Sequence, residues 1–314
     1  MQDLQKNLMY KVCLSYYNDN LTQQDIGKKY GISRIMVSRL LKKAIQEKMV
    51  EIKIHSPSDT NISLERMLEA KYMLKEVVVV SCHSATDEGV ISEIGEMAAH
   101  WFVNTLEGSE TIALSWGKSM LGFINALPTV NYPNLKVVQM IGGLGEPGAD
   151  VHGTDLTRRF AQVFNAKPSM LSSPGIVKSK TICDALKDDH QINETLKLAA
   201  SADLAIMGIG GFNPSSQIYS TDIILSGEDK ETLMQNNAVG DLSLHFFNQD
   251  GKLINGSLND RIVGLEIEQI QKIPRTIGIA GGSGKHASVL AALRGKFLNV
   301  LITDEKTAQF LLKN

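Results

Sequence analysis

Two hydrophobic rhythms divide the chain. From residue 76 onward, short apolar runs recur: EVVVVS (Glu76–Ser81), TIALSW (Thr111–Trp116), LKVVQMI (Leu135–Ile141), LAIMGI (Leu204–Ile209), TIGIA (Thr276–Ala280) and LNVLIT (Leu298–Thr303). Runs that are β-branched and apolar on successive residues belong to strands buried on both faces, as in parallel sheets. Segments with helical spacing, such as Val90–Leu106 and Thr154–Phe164, lie between most of them. The alternation predicts a doubly wound, mainly parallel α/β unit, whose ligands bind beyond the carboxyl ends of the strands.

Before residue 56 the rhythm is helical. Asp3–Asn18 reads as an amphipathic helix with Leu4, Leu8, Val12 and Leu14 as its apolar set. In LTQQDIGKKYGISRIMVSRLLKKAIQEKMVEIKI (Leu21–Ile54), Thr22 caps a helix that carries Asp25 in its favourable first turn. Gly31 supplies a sharp turn at positive φ. Ser33 caps a second helix running through Ala44. Two helices joined this tightly place Ile26, Ile32, Val37 and Leu40 on their inner faces and need a small residue at Gly27. The pattern predicts an all-α helix-turn-helix, and MVEIKIH (Met49–His55) alternates like the short strand of a winged variant. HSPSDTN (55–61) has a linker's composition, and ISLERMLEAKYMLK (Ile62–Lys75) reads as a joining helix. The length of 314 residues suits two domains, a helix-turn-helix at 1–55 and an α/β domain at 56–314.

Charge sharpens this division. Residues 1–55 hold ten Lys/Arg against five Asp/Glu, whereas the remainder holds 22 against 29. A basic head on an acidic body points the head at a polyanion, double-stranded DNA. The outer face of the second helix carries Ser33, Arg34, Ser38, Arg39 and Lys42. Its N-terminal half is the part that enters the major groove. Arg34, Ser38 and Arg39 are the candidates for base edges, while Lys42 and Lys43, with Lys28 and Lys29, suit phosphates. Thr22 and Gln23, at the start of the first of the two helices, complete the candidate DNA-contacting set. The alternative is a solvated face on a protein-interaction hairpin.

Four apolar runs end in glycine: GKSM after Trp116, GGLGEPG after Ile141, GGF after Ile209 and GGSGK after Ala280. The last is not a P-loop. The first glycine of that motif would fall on Ile279 and the Mg²⁺-binding hydroxyl on His286. A helix beginning at about Ser283 would offer free N–H groups to an anion, and Lys285 adds a charge. Taken alone, the loop could equally be a tight turn that binds nothing. Four such turns at one sheet edge, two with Lys118, Ser119, Ser283 and Lys285, predict a pocket for a small anion.

No catalytic or metal-binding constellation stands out. Asp241 and Asp260 suit sugar hydroxyls or turn caps, and His152, His245 and His286 have no evident partners. Cys13, Cys82 and Cys183 are far apart with no metal-ligand spacing, so reduced thiols in a cytoplasmic protein are expected. The opening MQDLQKNLMYKV lacks the apolar centre of an export signal, and no run is long enough to span a membrane.

These motifs, with ALSWGKSM, KVVQMIGGLG, ADLAIMGIGGF, NAVGDLSLHFFNQDGKLI and LNDRIVGLEIEQIQKIPRTIGIAGGSGKHASVLAALRGKFLNVLITDEKTAQFLL in this order, resemble the SorC family of bacterial transcriptional regulators. The resemblance implies operator binding by the head and an effector domain related to sugar-phosphate isomerases and glucosamine-phosphate deaminases. It also implies a phosphorylated sugar or polyol effector, assembly as dimers or tetramers, no cofactor and no enzymatic activity. Carried over by motif, the pocket comprises Ser115, Gly117, Lys118, Ser119, Gln139, Gly142, Gly143, Gly208 and Gly210. Gly281, Gly282 and Lys285 would take the phosphate, and Asp241 the sugar hydroxyls. Some relatives place a Schiff-base lysine before the Gly-Gly pair. That position is Ile141 here, so reversible binding is expected. The rival reading is an isomerase or deaminase with an appended DNA-binding head, and it needs an acid/base pair that the sequence does not display.

Overall fold

The computed structural model describes residues 2–52, 61–143, 153–213, 216–220 and 225–314. The chain separates into two compact units, Met1–Ser58 and Asp59–Asn314.

The first unit holds helices α1 (Gln2–Cys13), α2 (Gln23–Tyr30) and α3 (Arg34–Gln46). Thr22 accepts the Asp25 N–H and Ser33 the Met36 N–H, so both caps form as the sequence predicts. Gly31 closes α2 at φ 67°. A Cβ on Gly27 would stand 2.8 Å from the Ile32 carbonyl oxygen, which is why the crossing requires glycine. Ile26, Val37 and Leu40 are buried with Met9, Val12, Leu41 and Ala44, and Ile32 packs at the margin.

Two expectations fail here. Leu14 is exposed, because it lies two residues, about 200° of helix, from buried Val12. Met9, Cys13 and Ser15 line the inner face instead, the last within a π-helical turn at Leu14–Asn18. Met49–Ile52 form no strand, and the rest of the expected wing, with linker residues 55–60, lies outside the described residues, as does the Leu4 side chain.

The second unit opens with α4 (Ile62–Tyr72), β1 (Glu76–Val80), α5 (Asp87–Asn104), β2 (Thr111–Leu114), α6 (Lys118–Ala126) and β3 (Lys136–Gln139). It continues with α7 (Gly153–Val163), β4 (Lys167–Ser169), α8 (Lys180–Asp188), α9 (His190–Ala200), β5 (Leu204–Gly211), α10 (Gln217–Ser220) and α11 (Gly227–Gln235). It closes with β6 (Ala238–Leu242), β7 (His245–Asn248), α12 (Ile267–Ile270), β8 (Arg275–Ile279), α13 (His286–Arg294), β9 (Val300–Asp304) and α14 (Glu305–Lys313).

The strands run in the order β1-β9-β8-β5-β2-β3-β4, every neighbouring pair parallel. Side chains alternate between two cores, as the pleat requires. Ile112, Leu114, Leu204 and Ile206 meet Phe102 (α5), Phe123 (α6) and Phe160 (α7) on one face. Ala113, Ala205 and Met207 meet Leu68 (α4), Ala199 (α9), Val289 (α13) and Leu311 (α14) on the other.

At the β1 edge, Glu69 and Glu65 of α4 accept the outward N–H groups of Val77 (3.0 Å) and Val79 (2.9 Å). A sheet edge open to further pairing is closed in this way. Beyond the parallel sheet, β6 and β7 form an antiparallel hairpin on the far end of β5, pairing Asp241 with Gly210.

Candidate functional site

β8, β5, β2 and β3 are consecutive in the sheet, so the four glycine turns stand side by side at its carboxyl edge. Three of them line a cleft of about 390 Å³. From β2 and α6 come Ser115, Trp116, Lys118 and Ser119, and from β5 come Gly208, Gly210 and Gly211. The loop after β8 supplies Gly281, Gly284 and Lys285. The hairpin completes the wall with Asp241, Ser243 and Leu244, and the start of α5 adds Asp87, Glu88 and Ile91.

The fourth turn faces elsewhere. A Cβ on Gly142 would strike the Pro174 carbonyl, and the Gly142 oxygen accepts the Trp116 indole N–H at 2.9 Å. Gly143 bridges to Pro174. Gln139 is fully buried and donates to the Ile141 oxygen at 2.8 Å. These three bind the β3 loop to the fold and are not among the cleft's lining. Gly117, at φ 127°, and Gly282, at φ 89°, shape the turns behind it.

Lys285 is the cleft's central charge. Its Nζ donates to the buried Ser119 hydroxyl at 3.0 Å. Burial pushes its pKa down to about 8, Asp241 opposing, Lys118 adding to the fall and Asp87 opposing. Asp241 moves the other way. Burial lifts its carboxyl to about 6, against the Leu244 N–H that it accepts at 3.1 Å and the charge of Lys285. A Cβ on Gly210 would fall 1.9 Å from an Asp241 oxygen, so only glycine admits the carboxylate there. The Ser243 hydroxyl donates to Ser115 at 3.2 Å. Ser243 and Leu244 turn the hairpin at φ 50° and 67°, the left-handed pair of a type I′ turn made without glycine.

The regular helix after β8 starts at His286, preceded by a 3₁₀ turn at Ser283–Lys285, three residues later than the sequence predicts. Asp304 holds this loop from behind, accepting the Gly282 N–H at 2.8 Å.

The remaining candidates lie apart. His245 is buried with its Nε2 at 2.9 Å from the Leu265 oxygen, and His286 stacks on Phe310. Asp260 is exposed in a 3₁₀ turn, and His152 lies outside the described residues. Burial, Glu93 and Asp304 push the Cys82 thiol up to about 12, away from the thiolate. No metal-binding cluster occurs among the described residues, and no described helix is long and apolar enough to cross a membrane.

Sequence reasoning missed Asp87, Glu88, Ile91, Ser243 and Leu244. The first three follow a strand that ends without glycine, and the last two sit on a hairpin whose turn lacks the usual Asn-Gly signal.

In the first unit, Ser33, Arg34, Arg39, Lys42 and Lys43 are exposed and Ser38 is half-buried. Among the described residues Arg34, Arg39 and Lys42 form no ion pair, whereas Lys43 reaches Glu47 at 3.6 Å. An open depression of about 640 Å³ gathers Thr22, Gln23 and Arg34 beside Tyr16 and Tyr17. Exposed cations beside capped helix starts are groups that suit a phosphate backbone.

A helix-turn-helix head with an α/β domain that keeps its polar cleft at the sheet's carboxyl edge defines a ligand-responsive DNA-binding regulator. Residues 56–313 match the family described as "Putative sugar-binding domain", and residues 11–47 match "Sigma-70, region 4". The chain is 28% identical over 299 residues to the deoxyribonucleoside regulator of Bacillus subtilis (strain 168), spanning 95% of each. It is 28% identical over 309 residues to the sorbitol operon regulator of Klebsiella pneumoniae, spanning 98% of each. The full-length structure of that regulator, SorC, superposes with a TM-score of 0.74 at 27% identity, over 99% of this chain and 100% of SorC. A DeoR family transcriptional regulator from Listeria monocytogenes also gives 0.74 at 26% identity, over 80% of this chain and 98% of its own. The chain belongs to the SorC family of transcriptional regulators, with a helix-turn-helix and a sugar-binding domain.

Proposed function

We propose that this chain controls a carbohydrate-utilisation operon from the cytoplasm, as a homo-oligomer whose affinity for operator DNA is set by a phosphorylated sugar or polyol. The observation that carries this reading is the convergence of Lys285, Lys118 and Ser119 on one glycine-lined cleft at the carboxyl edge of a parallel sheet. A phosphate suits the two ammonium groups, and the buried Asp241 carboxyl suits hydroxyl groups. Names among the relatives, a deoxyribonucleoside regulator and a sorbitol operon regulator, support a sugar or polyol. With Ile141 at the position of the Schiff-base lysine, binding is noncovalent.

Such a ligand changes operator affinity only by preferring one conformation, and typical couplings are about 1–3 kcal/mol. A continuous set of contacts leads from the cleft to α4. Asp304 accepts both the loop's Gly282 N–H and the Thr307 N–H that starts α14. His286, next to Lys285, stacks on Phe310 of α14 at 4.7 Å between ring centroids. The Leu311 carbonyl of α14 accepts the Tyr72 hydroxyl at 2.7 Å and the Lys71 ammonium at 3.0 Å, both from α4. Among the described residues α4 is the first helix after the DNA-binding head.

Thermal denaturation of the full chain against free sugars and polyols, their phosphates, inorganic phosphate and ATP tests the assignment. A ligand at 100 times its Kd adds about 2.7 kcal/mol to the folded state. A shift from one sugar phosphate, without one from its unphosphorylated form, is the expected result. No shift, or one from ATP alone, removes the phosphate site.

A second reading, an isomerase-like enzyme, draws on one observation. Burial lifts Asp241 to about 6 and lowers Lys285 to about 8 in one cleft, which brings both toward the neutral range where a general acid or base works. Turnover of the sugar phosphate that gives the shift would establish it, and its absence leaves the cleft a sensor.

A further inference from the structure

We propose that Ile35 is a base-reading residue, packing on the 5-methyl group of a thymine in the major groove and fixing that position of the operator. The inference rests on the DNA-binding reading of the first unit and adds a residue and a base to it.

Ile35 is the second residue of α3 and is 67% exposed, whereas Val37, Leu40, Leu41 and Ala44 of the same helix are at most 5% exposed. It therefore contributes nothing to the three-helix core. Nor does it serve the helix, since a β-branched residue forms helix less well than Leu, Arg or Lys. Ile35, Ser38, Arg39 and Lys42 follow the i, i+3, i+4, i+7 spacing that places them on one face. That face bears the free cations Arg39 and Lys42, with Arg34 beside Ile35 in sequence.

A partner that covered this face for its apolar content would find one isoleucine among cations and hydroxyls. DNA fits all of them. Arg39 suits a guanine edge, Ser38 accepts or donates, and Lys42 suits a phosphate. An isoleucine can satisfy no donor or acceptor, so opposite adenine, guanine or cytosine it would leave a polar edge unpaired. Thymine alone offers an apolar group in the major groove. Position in the helix agrees, since the N-terminal half is the part that reaches base edges. Ile45, also exposed, lies ten residues further along, near the helix's C-terminus.

The test uses the full-length protein and a random-sequence duplex pool. Sites are selected with the wild type and with Ile35→Ala. Each thymine of the wild-type site is then replaced singly by deoxyuridine, which removes only the methyl group. The expected result is one thymine per half-site at which this replacement weakens wild-type binding about fourfold, the worth of one buried methyl. The same replacement leaves Ile35→Ala unaffected, and Ile35→Val, which keeps an apolar contact, retains the thymine preference. Identical losses in wild type and Ile35→Ala at every thymine, with identical selected sites, would overturn the inference while leaving DNA binding intact. If the wild type enriches no sequence at all, the DNA-binding reading falls and takes this inference with it.

Discussion

The two units hold their chemistry in opposite ways. The helix-turn-helix presents it outward, on one exposed face of α3, with every element of its scaffold drawn from residues 2–46. The α/β unit holds it inward, in a cleft where residues from Asp87 to Lys285 meet only because the ends of β1, β2, β5 and β8 and the β6–β7 hairpin come together at one sheet edge. An exposed face works by free charges in water. An inward cleft desolvates its charges, and Asp241 and Lys285 move toward each other in pKa as a result. Damage to one unit should therefore leave the other's readout standing, and the strongest predictions are those that separate the two.

The largest effect belongs to Lys285→Met. It removes a costly buried charge, but also the donor to Ser119 and the cation opposite Asp241, so the melting temperature is measured beside the affinity. The phosphate of the proposed effector would lose its main cation, and truncating one partner of such a pair costs about 2–5 kcal/mol, roughly 30-fold to several thousand-fold in Kd. Titration calorimetry with the sugar phosphate found in the thermal screen measures it. Operator binding without effector should be unchanged. Retained effector affinity would remove the phosphate from Lys285.

Next comes Gly27→Val, the corresponding injury to the head. A Cβ there lies 2.8 Å from the Ile32 carbonyl oxygen, which is backbone that cannot swing aside. Overpacking of this kind costs about 1–3 kcal/mol. Operator binding should fall in parallel with melting of the first unit, and effector binding should stay at its wild-type value. Loss of both together would show that the two units do not fold independently.

Legibility follows the same division. The head could be read almost whole, because its determinants are local: Thr22 and Ser33 cap their own helices, Gly31 makes its own turn, and Gly27 answers to Ile32 five residues away. Leu14 is the exception, since it lies about 200° of helix from buried Val12, and Ser15 takes the inner place in the π-helical turn. In the α/β unit the six apolar runs all became strands. The three missed, β4, β6 and β7, are a short edge strand with Pro168 and a hairpin containing Gly240 and Asp241, none of which carries a buried-strand pattern.

Glycine after a strand identified three of the cleft's walls. The same signal failed at Gly142, because a glycine that admits the Pro174 backbone and one that admits a ligand look alike in sequence. Gln139 shows the same limit, since a polar residue at a strand end points to a ligand or to its own loop depending on tertiary placement.

The pH dependence of effector binding sharpens the contrast in charge behaviour. A phosphate monoester becomes dianionic above about pH 6. Lys285, depressed to about 8 by burial, loses its charge above that pH. Affinity should rise toward neutrality and then fall, by up to about tenfold per pH unit, 1.4 kcal/mol, above pH 8. Lys285→Arg keeps its charge throughout this range and should flatten the alkaline limb. An equal decline in both proteins would assign the limb to another group. Operator binding measured in the same buffers is the control for this limb.

The smallest effect tests what joins the units. Tyr72→Phe deletes one hydroxyl from α4, removing its 2.7 Å hydrogen bond to the Leu311 carbonyl of α14 and leaving the ring in place. A single such bond is worth about 0.5–1.5 kcal/mol. If α14 carries the state of the Gly281–Lys285 loop to α4, that energy is drawn from the coupling between sites. Effector affinity measured without DNA, and operator affinity measured without effector, should both stay within about twofold of wild type. The ratio of operator affinities with and without saturating effector should shrink by about 2- to 10-fold, the same energy expressed as a ratio. Phe310→Ala, which removes the ring beneath His286, should shrink it too, and the double variant should fall short of the sum, because both act on one helix. An unchanged ratio in Tyr72→Phe, with both affinities intact, would show that effector binding reaches the head by a route other than α14 and α4.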